Sequence, residues 1–277
     1  MKLRRMYALS IRHLYLIRGS FPRILDLIYW PTIQIILWGF ISKFFTMYSD
    51  YYNNTVGVIL SCAILYDFLF RSSISFNMLF LEEIWSRNFT NLFVAPLKLS
   101  EIITALTFTA LVRTLIGIVP AVLLMSPLFG VSIINLGAPL FLLFLSLYMF
   151  GTTLGILVTS GLLRFGPAFE NTAWSSLFLL APLGCVYYPL SILPEWLQYI
   201  SNLLPLVYVF EEARSILINN SVNYDNIINA LLLNLIYFSL SVIIFYFSFY
   251  GARKKGTLVN MGAVSYTHLT LPTILLV

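Results

Sequence analysis

Charge is what this chain has least of. Asp, Glu, Lys and Arg together make up 10% of its 277 residues, against 60% hydrophobic residues, and its mean hydropathy is +0.90. An ordinary soluble domain is excluded, because its surface needs about a quarter of its residues charged. Cysteine is nearly absent. Cys62 and Cys185 both fall inside apolar runs, where a thiol acts as a small hydrophobe rather than as part of a disulfide framework or metal site. Histidine is as scarce, with only His13 and His268, too few for a metal centre or a His-based catalytic site. No Gly-x-x-x-x-Gly-Lys-Ser/Thr run occurs, so the chain carries no phosphate-binding loop, and any ATP it uses must be held by another subunit. No internal repeat marks the halves of an inverted-repeat transporter. The basic N-terminus runs into an amphipathic stretch with no small-residue cleavage site, unlike a removable signal.

What the chain has is long apolar runs. Leu27–Phe45, Val56–Leu81, Ile102–Leu124, Ala138–Leu163, Ala173–Leu193 and Ile227–Tyr250 each approach the ~20 residues that a membrane-crossing helix needs. They are continuously apolar rather than alternating, which excludes a β-barrel. The expected fold is all-α, a polytopic membrane protein with six transmembrane helices over residues 27–263 after a cytoplasmic interface helix over residues 1–26. Basic residues set the orientation. Lys2, Arg4, Arg5, Arg12, Arg18 and Arg23 precede the first run, and Arg253, Lys254 and Lys255 follow the last. With six spans both termini are cytoplasmic, as are Arg87, Lys98 and Arg164. The net charge of +5 is then a topology signal, and nucleic acid is not an expected partner.

Three segments depart from plain spans and loops. Met1–Asp26 interleaves Leu3, Tyr7, Ile11, Leu14 and Leu25 with arginines, as suits an amphipathic helix in the cytoplasmic interface. Trp30-Pro31 then anchors the start of the first span. Leu81–Pro96 carries Leu81, Trp85, Phe89, Leu92 and Phe93 at helical spacing, one apolar stripe with Glu83, Arg87, Thr90 and Asn91 largely off it. A helix pressed against a partner at the membrane surface would be built this way. In Tyr187–Asn220, Pro194 and Pro205 divide two helical pieces, Glu195–Leu204 and Leu206–Ile218, each too short to cross. A re-entrant pair on the outer face is expected, since irregular backbone at membrane depth must pack on protein or line a wet cavity.

Asp67, Arg71 and Arg113 fall well inside apolar runs, where charges are costly and paired or pore-facing. Asp67 and Arg71 are four apart on one helix face. Counting residues along antiparallel spans puts Arg113 at a similar depth, so a cluster is expected in which Asp67 bridges both arginines. The 23 Phe and 17 Tyr suit membrane interfaces and say nothing of cargo.

Two resemblances add to this. Val264–Thr273, Val-Ser-Tyr-Thr-His-Leu-Thr-Leu-Pro-Thr, resembles the translation of a transposase-based sequencing adapter, so residues 264–277 are set aside as an artefact tail, His268 with them. Met1–Ala263 resembles the permease subunit of an ATP-binding-cassette exporter, in the type-2 family. The resemblance rests on the basic N-terminal helix, on Glu82-Glu83-Ile84-Trp85-Ser86-Arg87-Asn88 through Asn91-Leu92-Phe93 to Ala95-Pro96-Leu97, and on Pro189…Leu193-Pro194…Leu204-Pro205…Glu211…Arg214. It implies that Glu82, Glu83, Trp85, Arg87, Asn88 and Phe89 form a coupling helix that docks on the ATPase. It likewise implies that Pro194–Ile218 is the re-entrant pair, with Glu211 and Arg214 joined at the outer exit.

The partners it implies are two copies of an ATP-binding subunit, which hold ATP and Mg, and a second permease subunit, identical or paralogous. The setting is a bacterial inner membrane. The first, second and fifth spans would lie at the dimer centre, and the cargo would be a drug, lipid or lipid-linked polysaccharide. Two other classes compete. An ion-coupled transporter or channel would use Asp67, Arg71 and Arg113. A lipid-acting enzyme would need an interfacial acid, His or metal cluster, and the sequence offers no good one.

Overall fold

The computed structural model describes residues 3–46, 55–86, 88, 91–92 and 95–256. They form nine α-helices with short 3-10 turns and no strand among the described residues. In chain order these are α1 (Leu3–Arg18), α2 (Phe21–Thr46), α3 (Thr55–Trp85), α4 (Leu99–Phe129), α5 (Pro139–Phe165), α6 (Asn171–Leu183), α7 (Glu195–Ser201), α8 (Pro205–Asn219) and α9 (Tyr224–Lys254). Residues 264–277, expected to be an artefact tail, and the stretch between α2 and α3 lie outside the described residues.

Five helices, α2, α3, α4, α5 and α9, are long and apolar enough to cross a membrane. The run Ala173–Leu193 does not give a comparable sixth. Its helix, α6, has 13 residues, about 20 Å at 1.5 Å per residue, against a hydrocarbon core of about 30 Å. Pro182 sits in its last turn, and Cys185 takes φ of 53°. That left-handed backbone ends the helix and turns the chain back.

α3 is the hub. It packs against α2, α4, α5, α6 and α8, and its Leu60, Ile64, Leu65, Leu69, Phe76, Leu79 and Leu81 are fully enclosed. Its contact with α5 depends on small residues one turn apart. A Cβ added at Gly151 would lie 1.9 Å from Ser72 Oγ and 2.7 Å from Leu69 O, and one at Gly155 would lie 2.9 Å from Phe76 Cβ. Such spacing lets two helices in lipid approach backbone to backbone. Polar side chains add to it. Thr159 Oγ1 donates to Asn77 Oδ1 at 3.0 Å, and Asn234 Nδ2 donates to Ser146 Oγ at 2.7 Å, fixing α9 on α5. In contrast α2 and α9 turn many large apolar side chains outward, among them Phe21, Leu25, Tyr29, Ile33 and Leu37 at four-residue steps.

The N-terminal segment is two helices rather than one over residues 1–26. α1 ends at Arg18 and α2 begins six residues before the apolar run, at Phe21. Leu3 and Tyr7 point outward, while Leu9, His13 and Ile17, spaced by four, form an inward stripe. α1 packs chiefly on α4, where Ser10 Oγ donates to Ala105 O at 3.3 Å.

Candidate functional site

The last turn of α3 carries two acids, Glu82 and Glu83, where the helix macrodipole is already negative. Acids at a helix C-terminus are unfavourable unless cations answer them. Here α1, α2 and α4 supply those cations. Arg12 Nη1 donates to Glu83 Oε1, and His13 Nε2 lies 3.1 Å from the same oxygen. His13 Nδ1 is 3.8 Å from Glu82 Oε2. Glu82 Oε1 also faces Arg23 Nη1 at 3.6 Å and accepts from Arg113 Nη1 at 3.2 Å. Asn88 Nδ2 completes Glu83, donating to Oε2 at 2.7 Å. A second tie holds α1 to α4, with Arg5 Nη1 3.8 Å from Glu101 Oε2.

Glu83 is 2% exposed and His13 0%, so these are enclosed charges, each needing its partners. Burial by itself would depress the His13 pKa. The hydrogen bonding and charge of Glu82 and Glu83 outweigh it, and the imidazole is raised above its ordinary value. Among the described residues no three His, Cys, Asp or Glu side chains are placed to hold a metal ion. Around His13 the space near the carboxylates is taken by Arg12, Arg23 and Arg113.

Several sequence expectations change here. Glu82, Glu83 and Trp85 belong to α3 itself, not to a separate helix after it. Glu83 is buried against α1, and Glu82, partly exposed, is engaged by cations of α1, α2 and α4. Trp85 is 56% exposed and Asn88 is half-buried, while Arg87 and Phe89 lie outside the described residues. Arg113 belongs to this network and not to a bridge through Asp67. The cause is side-chain lean. Helical side chains tilt toward their own N-terminus, and α3 and α4 run in opposite directions. Asp67 therefore tilts away from the Trp85 end of α3 and Arg113 tilts toward it, whatever the match in backbone depth. Asp67 keeps Arg71, whose Nε donates to Oδ2 at 3.3 Å. His13 was missed as a participant, although its place on the Leu9–His13–Ile17 stripe marks it as inward-facing.

At the other end, Pro194 precedes α7 and Pro205 opens α8, a position that suits proline because that N–H has no helical partner. Arg214 Nη2 donates to Glu211 Oε1 at 2.9 Å. Its Nη1 donates to Cys185 O at 2.7 Å and to Val186 O at 3.2 Å. Glu211 in turn accepts from Leu190 N at 2.7 Å. The pair thus pins the turn after α6 onto α8, and Arg214 is buried rather than open at an exit. Glu212, which the sequence did not single out, accepts from Asn223 N at 2.8 Å and from Asn226 Nδ2 at 3.1 Å. It locks α8 to α9.

Five long apolar helices, a basic helix packed against α4 and α2, and a proline-divided helix pair before the last of them mark a helical membrane protein. The model of the ABC-2 type transporter family matches residues 16–218. The chain belongs to that family: it is a transmembrane permease component of an ATP-binding-cassette transporter, not itself catalytic, and ATP hydrolysis belongs to a separate ATP-binding subunit. Comparison with curated proteins gave no match.

Proposed function

We propose that this chain is the permease of an ATP-driven exporter in a bacterial inner membrane. It would move an amphipathic or lipid-linked molecule (a drug, a lipid or a polysaccharide carrier) with energy from two copies of an ATP-binding subunit. A second permease subunit, the same chain or a paralogue, completes the path. The sixth crossing is made by α6 together with the turns on either side of it, and the α7–α8 pair re-enters from the outer face. Both termini are then cytoplasmic.

One observation carries the reading: the end of α3 is clamped by charge to α1, α2 and α4, and Trp85 is left projecting beside the clamp. A push on Trp85 or on the segment after it is then transmitted to a rigid unit of α1 and α3 rather than absorbed by a loose loop. An exposed Trp with an enclosed charge network behind it is also the composition of an interface anchor. The competing reading of Trp85 is a headgroup anchor. Trp85→Ala in the reconstituted complex separates them. Loss of permease-stimulated ATP hydrolysis, with membrane insertion intact, is expected; unchanged stimulation would reject the docking role.

A further inference from the structure

Between Leu60 and Ile84, α3 is buried at every position except five: Phe70, Arg71, Ile74, Met78 and Glu82 are partly exposed. The adjacent pair Phe70 and Arg71 and then Ile74, Met78 and Glu82 at steps of three to four form one strip on the helix surface. The strip runs from the cytoplasmic end to the middle of the span and stops there, since Tyr66 and Asp67, the next positions outward on that side, are enclosed. Its inner limit is Arg71, the midpoint of the span Gly57–Trp85. Beside it Phe70 meets Trp174 and Phe178 of α6 in edge contacts of 5.7 and 5.9 Å. On the other side, Arg71 Cδ lies next to Gly117 of α4, where α4 packs on Leu27 O of α2.

Arg71 is held but not used up. Asp67 takes its Nε, and no described residue accepts from Nη1 or Nη2. Its side chain is 12% exposed and that of Asp67 8%, so the guanidinium keeps some accessible surface at a position that is itself part of the strip. A plain lipid-facing strip would not place a cation at half depth, where charge is most costly. A planar pair of N–H groups fixed by a carboxylate behind them suits a bidentate oxyanion, and the phenyl and indole rings nearby suit an apolar chain.

Building on the permease reading, we infer that Arg71 receives the oxyanion group, phosphate or carboxylate, of an amphiphilic cargo that moves along the α3 strip from the cytoplasmic side, with Asp67 as its positioning residue. Ile74 and Met78 give the approach, and Phe70, Trp174 and Phe178 take the apolar part.

The test uses the purified full-length chain in neutral detergent. Three fluorescent probes share one acyl chain: lysophosphatidic acid, the free fatty acid and the monoacylglycerol. One or both anionic probes should bind at least about tenfold more tightly than the neutral one, as expected for hydrogen bonds to a charged group. Inorganic phosphate should not displace them. Arg71→Gln alone leaves Asp67 without its partner, so the decisive variant is Arg71→Gln with Asp67→Asn. It keeps a hydrogen-bonded pair and removes both charges. In that variant monoacylglycerol binding should be retained and the anionic preference lost. Equal affinity for all three probes, a preference that survives the double variant, or displacement by phosphate alone would each overturn the assignment. No ATPase is present in this measurement, so its failure would leave the coupling at Trp85 standing, and the reverse also holds.

Discussion

Replacing Glu83 by Gln should release α1 without unfolding the protein. The substitution preserves size and can keep the contact with Asn88, but it removes the charge that Arg12 and His13 share. Arg12 is part-exposed, its side chain at 38%, and can return to water, so its contribution is the ~0–1 kcal/mol of a solvent-facing pair. His13 has no such recourse. It is wholly enclosed and would keep only Glu82, at 3.8 Å. Losing a charged partner 3.1 Å from an enclosed imidazole nitrogen costs about 1.5–3 kcal/mol, the range for contacts to charged groups. A combined loss of about 2–3 kcal/mol corresponds to roughly 30- to 150-fold in the opening equilibrium of α1. Leu9, Ile17 and the Ser10–Ala105 bond still hold the helix in place, so the effect stays local. Hydrogen exchange read by mass spectrometry on residues 9–17 should accelerate by that factor, while peptides from α9 stay unchanged. Unaltered exchange in α1, or equal acceleration in α9, would refute the clamp.

Two further perturbations probe other parts of the fold. The His13 pKa is higher in the folded state than its unfolded value of about 6.5. Its contribution is therefore fully present below pH about 6.5 and is lost as pH rises through the raised folded value; α1 exchange, corrected for intrinsic chemistry, should increase over that alkaline range, and His13→Gln should abolish the dependence. At the α3–α5 contact, Gly155→Ala drives a Cβ to 2.9 Å from Phe76 and should cost about 1–3 kcal/mol, lowering the melting temperature of the purified chain. Gly251→Ala, with nothing within 4 Å, should leave that temperature unchanged or raise it.

The parts of this fold legible in the sequence were those set by composition over many residues. Continuous apolar runs located α2, α3, α4, α5 and α9 with ends between one and six residues off, because the requirement for ~20 apolar residues acts on each span separately. The failures came where a residue's surroundings depend on distant elements. Glu82 and Glu83 looked like the polar face of a surface helix, yet Glu83 is enclosed and Glu82 largely covered because α1 returns over them, 71 positions away along the chain for Arg12 and Glu83. Arg113 was matched to Asp67 by backbone depth alone, which ignores the opposite lean of side chains on antiparallel helices. The run Ala173–Leu193 has the hydropathy of a span, while Pro182 and the left-handed turn at Cys185 hold its helix to 13 residues, which hydropathy does not show. His13 could have been found from the four-residue spacing of Leu9, His13 and Ile17, a stripe that points inward.

The central claim is that work enters this chain at the clamped end of α3. Its most direct measurement is ATP hydrolysis by the complex reconstituted with its ATP-binding subunit, comparing Trp85→Ala with Trp196→Ala. Both indoles are exposed, at 56% and 65%, but Trp196 lies in α7, away from the clamp. Trp85→Ala should abolish permease stimulation of hydrolysis while Trp196→Ala preserves it. Equal activity in the two variants would contradict the claim.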